Sequence, residues 1–233
     1  MIKGKTILAI IPARGGSKGI PRKNIIPING KPLIYYAIKE AKKSKYVDRL
    51  IVSTEDEEIA RVARNYQVEV IRRPKKYAKD NIPIRPDLIR YITKKQLKEK
   101  YDITVVIMAT SVFIKVREID AVIEKLSKTK ADWVTTICEA ETHPYRMGRI
   151  INDKLVPVIK GNIWAQRQNL PGIYQMVDSV YATWAKILDK KNCLDSKNWR
   201  GVIINKDESI DIHEPIDLII AKAILKFVKN REK

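Results

Sequence analysis

Residues Leu8 to Asn24, LAIIPARGGSKGIPRKN, set three glycines and four cations directly after an apolar run. Gly15, Gly16 and Gly19 let the backbone bend and approach a ligand, while Arg14, Lys18, Arg22 and Lys23 add cations to backbone N–H groups that already favour an anion. Ala13 and Ser17 lie on the same path, and Asn24 closes it. The chemistry is that of a phosphate cradle and hence of a nucleotide. The spacing is neither the GxxxxGK[ST] of a P-loop nor the GxGxxG of a dinucleotide fold.

A second chemical group stands near the C-terminus in SIDIHEPIDL, Ser209 to Leu218. Asp211, at a strand end before a helix, offers the hard oxygen that a divalent cation takes. His213 follows two residues later. Between these ends, Arg73 before Pro74 could set an arginine fork on a base or sugar, with Asp80 seven positions on to fix its loop; the alternative is a surface ion pair, and the functional reading is preferred. In STED, Ser53 or Thr54 caps a helix whose first turn carries Glu55, Asp56, Glu57 and Glu58, a capped acidic start with no catalytic role.

The elements that must position these groups follow from periodicity. Short apolar runs predict strands at about 6–12, 49–53, 68–71, 103–109 and 132–137. Helical spacing predicts helices over Lys31–Lys43, with Pro32 in its first turn, then Glu55–Arg64 and Arg117–Leu126. After an irregular stretch from about Glu141 to Tyr174, regularity returns with Ser179–Thr183, a strand at Gly201–Ile204 and a helix from about Pro215 to Phe227. The alternation implies a single α/β domain with helices on both faces of a mostly parallel sheet. In such sheets ligands bind beyond the strands' carboxyl ends, where the loop after Pro12, the Thr54–Asp56 turn and the Thr110–Ser111 pair gather.

Composition narrows the function. The chain has 233 residues, and 46 Lys+Arg against 27 Asp+Glu give a net charge of +19. The lysines fall on helix faces and ends instead of forming a stripe interleaved with aromatics, so a nucleic-acid surface is not expected. No apolar run approaches membrane-spanning length, and Pro12 and Arg14 break the first one too soon for a secretory signal, so a soluble cytoplasmic protein is expected. Cys138 and Cys193 are far apart and lack partners at ligand spacing, which argues against a disulfide framework or a zinc site.

The opening string resembles the signature of the cytidylyltransferases that activate acidic 2-keto sugars, above all the CMP-N-acetylneuraminate synthetases. The resemblance continues in order through GKPLI at Gly30–Ile34, IVSTEDEEIA at Ile51–Ala60, RRPKKYAKDN at Arg72–Asn81, HPY at His143–Tyr145, RQNLPGIY at Arg167–Tyr174 and the Asp211 motif. It implies a three-layer α/β/α fold of the nucleotide-diphospho-sugar transferase type. The implied reaction is transfer of CMP from CTP to a sialic, legionaminic, pseudaminic or similar acid, with release of pyrophosphate. By the same resemblance, Arg14, Lys23 and Asp211 are catalytic, and Ala13, Arg14, Gly15, Ser17, Lys18, Asn24, Arg73 and Asp80 bind the nucleotide. Thr110, Ser111, Arg167 and Gln175 face the sugar, and Asp211 and His213 hold Mg2+. The region of about 141–174 is the dimerisation segment of a homodimer and passes Arg167 to the neighbouring site.

Three departures mark the acceptor end. The second aspartate of the family's DID is His213, a poor Mg2+ ligand that is compatible with shifted coordination, a water-mediated contact or tolerance for Mn2+. LQPTSPLR becomes IMATSVFIK at Ile107–Lys115, so Met108 replaces the glutamine and Ile114 the arginine. In YQMVDSVY, Gln175 replaces a sugar-binding arginine, and Val177 and Asp178 replace asparagine and glycine. No residue stands out as a general base. A sister enzyme acting on a sugar 1-phosphate, a binding-only relative and a nucleic-acid module are the competing readings.

Overall fold

The computed structural model describes residues 1–17, 19–78, 86–97, 99–190 and 192–231, with only the backbone described for Arg167 and for 228–231. In chain order the strands are β1 (Ile7–Pro12), β2 (Pro27–Ile28), β3 (Lys31–Pro32), β4 (Arg49–Thr54), β5 (Glu69–Arg72), β6 (Ile103–Ile107), β7 (Trp133–Glu139), β8 (Gly148–Ile151), β9 (Lys154–Pro157), β10 (Tyr174–Trp184) and β11 (Trp199–Ile203). The helices are α1 (Ile34–Ala41), α2 (Glu57–Asn65), α3 (Pro86–Tyr91), α4 (Val116–Lys128), α5 (Ala185–Leu188) and α6 (Pro215–Arg231). Seven strands form one sheet in the order β11-β7-β10-β6-β1-β4-β5. Within it β10 runs against both neighbours, and the remaining pairings are parallel.

Alternation along β1 explains the three layers. Ile7, Ala9 and Ile11 join the core under α1, α2 and α4, while Leu8 and Ile10 join the opposite core with Leu88, Trp133 and Ile187. A strand buried on both faces must be apolar throughout, so β1 reads as an unbroken run. Each of these branched side chains contributes about 1.5–3 kcal/mol by leaving water. The mixed, mostly parallel sheet is the expected architecture.

Several local expectations change. Pro32 lies in a short ladder with Pro27 instead of a helical turn, and α1 begins only at Ile34. Neither Ser53 nor Thr54 caps α2; Asp56 does, its carboxylate accepting from the Ile59 N–H at 3.0 Å, while the Thr54 hydroxyl accepts from the Asp56 N–H. Asp56 sits one residue before the helix with extended φ/ψ, which is what an N-cap requires, whereas Ser53 and Thr54 lie too far back in β4. The irregular 141–174 region holds the β8–β9 hairpin, whose Asn152–Asp153 turn has positive φ at both residues, the geometry of a two-residue hairpin. β10 begins at Tyr174, earlier than the Ser179 expected, and the α3 helix has no counterpart among the expected elements. Both cysteines are free and buried. Among the described residues no helix is long and apolar enough to cross a membrane.

Candidate active site

A cleft of about 300 Å³ opens at the carboxyl ends of β1 and β6, lined among others by Arg14, Ser17, Lys23, Asn24, Arg73, Thr110, Asp178, Asp211 and His213. Two close approaches fix the glycine-rich loop at its rim. A Cβ on Gly15 would stand 2.5 Å from the Asp56 carboxylate, and one on Gly19 would stand 2.6 Å from the His213 carbonyl oxygen. These glycines therefore let the loop press against the protein, between α2 and the 211–213 segment, instead of against a ligand. Arg22 adopts a left-handed φ of 56° and is turned away from the cleft into ion pairs with Asp56 and Glu58. It fastens the loop, where the sequence suggested a phosphate cation.

Arg14, Lys23 and Arg73 line the cleft. The Lys23 ammonium donates to the Ile212 carbonyl at 2.6 Å, and burial holds it below the ordinary lysine range despite the opposing charge of Asp211. The Asn24 amide donates to the Arg14 carbonyl at 2.8 Å, which sets the backbone on which Arg14 sits. Arg73 is not a surface ion pair: its side chain is 1% exposed, and its Nε donates to Glu55 at 2.9 Å. Its two terminal nitrogens are buried and, among the described residues, have no hydrogen-bond partner. Burial lowers its pKa and the charge of Glu55 raises it, yet a guanidinium stays protonated.

Asp211 supplies the opposing charge. Asp217 on the first turn of α6 accepts from the His213 and Glu214 N–H groups, both at 2.8 Å, and so ties the 211–214 segment to the helix start. Burial would raise the Asp211 carboxyl, but the contact with His213, the nearby Thr110 hydroxyl and the charge of Lys23 outweigh it and set it below the ordinary carboxylate range. His213 Nε2 lies 2.9 Å from Asp211 Oδ2, and this bond raises the imidazole pKa. Among the described residues no three His, Cys, Asp or Glu side chains gather as a ready cation cage. One ionised carboxylate facing a phosphate cradle does fit Mg2+, which takes one or two carboxylates and completes its shell with substrate phosphates and water.

Not every expected residue reaches the cleft. Ala13 is buried, with its N–H donated to Ser53, and the Gly15 N–H is donated to Glu55 at 2.7 Å. Ser111 is buried outside the cleft, and Gln175 is exposed on β10, paired with Cys138. Lys18 and Asp80 lie outside the described residues, as does the Arg167 side chain; its backbone opens a short helical turn over Arg167–Asn169. Asp178 enters the cleft from a register shift between Val177 and Tyr181, where β10 leaves its ladder with β7. Bulges re-aim side chains in this way, and a single sequence gives no sign of where one falls.

Arg14, Lys23 and Arg73 thus share one cleft with the carboxylates Asp178 and Asp211 at the carboxyl ends of parallel strands, where open α/β sheets bind their ligands. Residues 8–159 match the cytidylyltransferase family. A Campylobacter coli protein named post-translational flagellin modification protein B is 30% identical over 226 residues, 94% of this chain and 95% of its own. The CMP-N,N'-diacetyllegionaminic acid synthase of Campylobacter jejuni is 29% identical over 230 residues, 96% of each chain. A CMP:2-keto-3-deoxy-manno-octonic acid synthetase solved with CTP shares the fold, with a TM-score of 0.73 at 15% identity, over 95% of this chain and 98% of its own. The chain belongs to the cytidylyltransferase family and is a nucleotidyltransferase.

Proposed function

We propose that the protein transfers CMP from CTP to an acidic 2-keto sugar of the nonulosonic type, with legionaminic, pseudaminic and sialic acids as the candidate acceptors. The observation that carries this reading is the cleft in which Arg14, Lys23 and the unpartnered nitrogens of Arg73 face the ionised Asp211. Arg14 and Lys23 hold the triphosphate, and their charge offsets what develops on the α-phosphate and the departing pyrophosphate. Arg73 binds the nucleotide through its two terminal nitrogens, a planar fork suited to paired acceptors. The sugar's anomeric hydroxyl oxygen bonds to the α-phosphorus, the bond from that phosphorus to the bridging oxygen breaks, and pyrophosphate leaves. No side chain in the cleft is required as base, and the hydroxyl proton departs through water.

Asp211 would hold Mg2+, which when bound neutralises the phosphates and favours in-line attack. His213 sits on the other oxygen of that carboxylate and orients it, a role that leaves Mn2+ tolerated. Thr110 lines the cleft at the end assigned to the sugar, and Arg167 is the residue we assign to a sugar carboxylate of the neighbouring subunit. The protein is read as a cytoplasmic single-domain enzyme that works as a homodimer; the pairing through residues 141–174 is supported by the apolar side chains this excursion leaves in solvent. Trp164 is 87% exposed and Leu155 70%. Pyrophosphate release is the direct test, measured with CTP, Mg2+ or Mn2+ and a panel of 2-keto sugar acids. Release is expected with CTP and at least one nonulosonic acid; none with any acceptor overturns the reading.

A further inference from the structure

Glu55 stands one residue past the end of β4 and just before the cap of α2, a place where acidic residues usually serve the helix. Its carboxylate does something else. Oε2 accepts from Arg73 Nε at 2.9 Å, and Oε1 accepts from the Gly15 N–H at 2.7 Å. The side chain is 11% exposed, and the Arg73 backbone N–H also donates to the Thr54 carbonyl at 3.1 Å. One half-buried carboxylate therefore touches both halves of the cleft wall: the glycine-rich loop and the arginine that lines the cavity opposite it.

The local chemistry makes this bridge specific. Arg73 uses its Nε on Glu55, which leaves Nη1 and Nη2 buried and without a protein acceptor. Such nitrogens cost free energy unless a ligand satisfies them, so the Nε bond fixes the plane in which the pair is presented. Gly15 lies two residues before Ser17 and leads into the stretch that ends at Lys23 and Asn24. Its N–H is spent on Glu55, so the carboxylate anchors the start of the loop while Gly19 rests on the His213 carbonyl further along. A displacement of the Glu55 carboxylate would move the arginine fork and the loop together.

We propose that Glu55 is a positioning residue that couples the triphosphate loop to the Arg73 fork and thereby sets the affinity for the nucleotide. This rests on the reading of the cleft as a CTP site. Glu55→Gln keeps the shape of the side chain but puts an amide nitrogen against one of two N–H donors, so one bridge must break. The expected result is an affinity for CTP about tenfold or more weaker by calorimetry with CTP and Mg2+, matched by a rise in KM for CTP. KM for the acceptor sugar is expected to stay within about twofold, because only the nucleotide half is disturbed. In an Arg73→Met background the same substitution should cost less than it does alone, since the two act through one contact.

A purely structural role would lower Tm and degrade both substrates alike. Equal CTP affinity in Glu55→Gln and the parent protein, equal losses for both substrates, or full additivity with Arg73→Met would each overturn the inference. If Glu55→Gln fails to fold, Glu55→Asp serves the same measurement, since a carboxylate one methylene shorter cannot span both donors; unchanged CTP affinity there overturns it as well. A parent protein that binds no CTP would sink the functional reading instead, so the two failures are distinguishable.

Discussion

The nucleotide half of the cleft and the 141–174 excursion differ in how completely one chain satisfies them. Around the loop, charged groups have internal partners: Arg22 with Asp56 and Glu58, Arg73 with Glu55, Asp211 with His213. On the β8–β9 hairpin all eight strand residues are exposed, including Ile150, Ile151 and Leu155. A polar site can be finished locally, because hydrogen bonds and ion pairs need only a few nearby donors and acceptors. An isolated two-stranded ribbon has no second layer to bury its apolar face and is marginal on its own. The first region is thus largely satisfied within one chain, and the second leaves apolar side chains in solvent.

That contrast can be broken most severely at Asp211. Asp211→Ala is expected to cut the rate of pyrophosphate release by about a hundredfold to a thousandfold, because one anionic contact to a cation on the transferring phosphate is lost. Tm should move by only a few degrees, of the order that follows from a loss of about 1 kcal/mol. Undiminished turnover would remove Asp211 from the chemistry.

On the excursion the expected effect is smaller and of a different kind. Leu155→Glu or Trp164→Glu should shift the protein from dimer to monomer in light scattering, since a charge at the centre of an apolar patch opposes its burial. Affinity for CTP should stay within about twofold, while the role proposed for Arg167 in the neighbouring site predicts that turnover falls by about tenfold. A parent protein that is already monomeric would show that this face has some other use.

The smallest effect concerns pH. The Arg22 guanidinium holds the Asp56 carboxyl below its ordinary value. A depressed carboxyl contributes stability that is present above the unfolded pKa of about 3.9 and is lost as pH falls through the lower folded value. The Tm gap between the parent and Asp56→Asn should hold constant above about pH 5 and close below about pH 4. A gap that widened in acid would contradict the pairing.

What the sequence determined by itself was everything expressed along the chain. Both-face burial made β1, β4 and β6 continuous apolar runs, and helical spacing marked α1, α2, α4 and α6, so the layered sheet was readable before any contact was known. The loop of glycines and cations likewise marked, from composition over a dozen residues, the segment that lines the cleft through Arg14, Ser17 and Lys23. The Asn152–Asp153 pair could have signalled the hairpin, since both residue types tolerate positive φ, but its flanking strands lack the alternation that marks a half-buried strand.

Only the tertiary structure decided which members of a motif act on the ligand and which act on the protein. Arg14 and Arg22 look alike in sequence, yet one lines the cleft and the other is tied to α2, because α2 returns its acidic turn beside the loop some 34 residues later. Glu55 reads as a helix-start acid until the fold brings Gly15 and Arg73, separated by 58 residues, to its two oxygens. Asp178 depends on a shift of strand register. Such roles are set by distances between segments remote in the chain, and residue type and spacing carry no record of those distances.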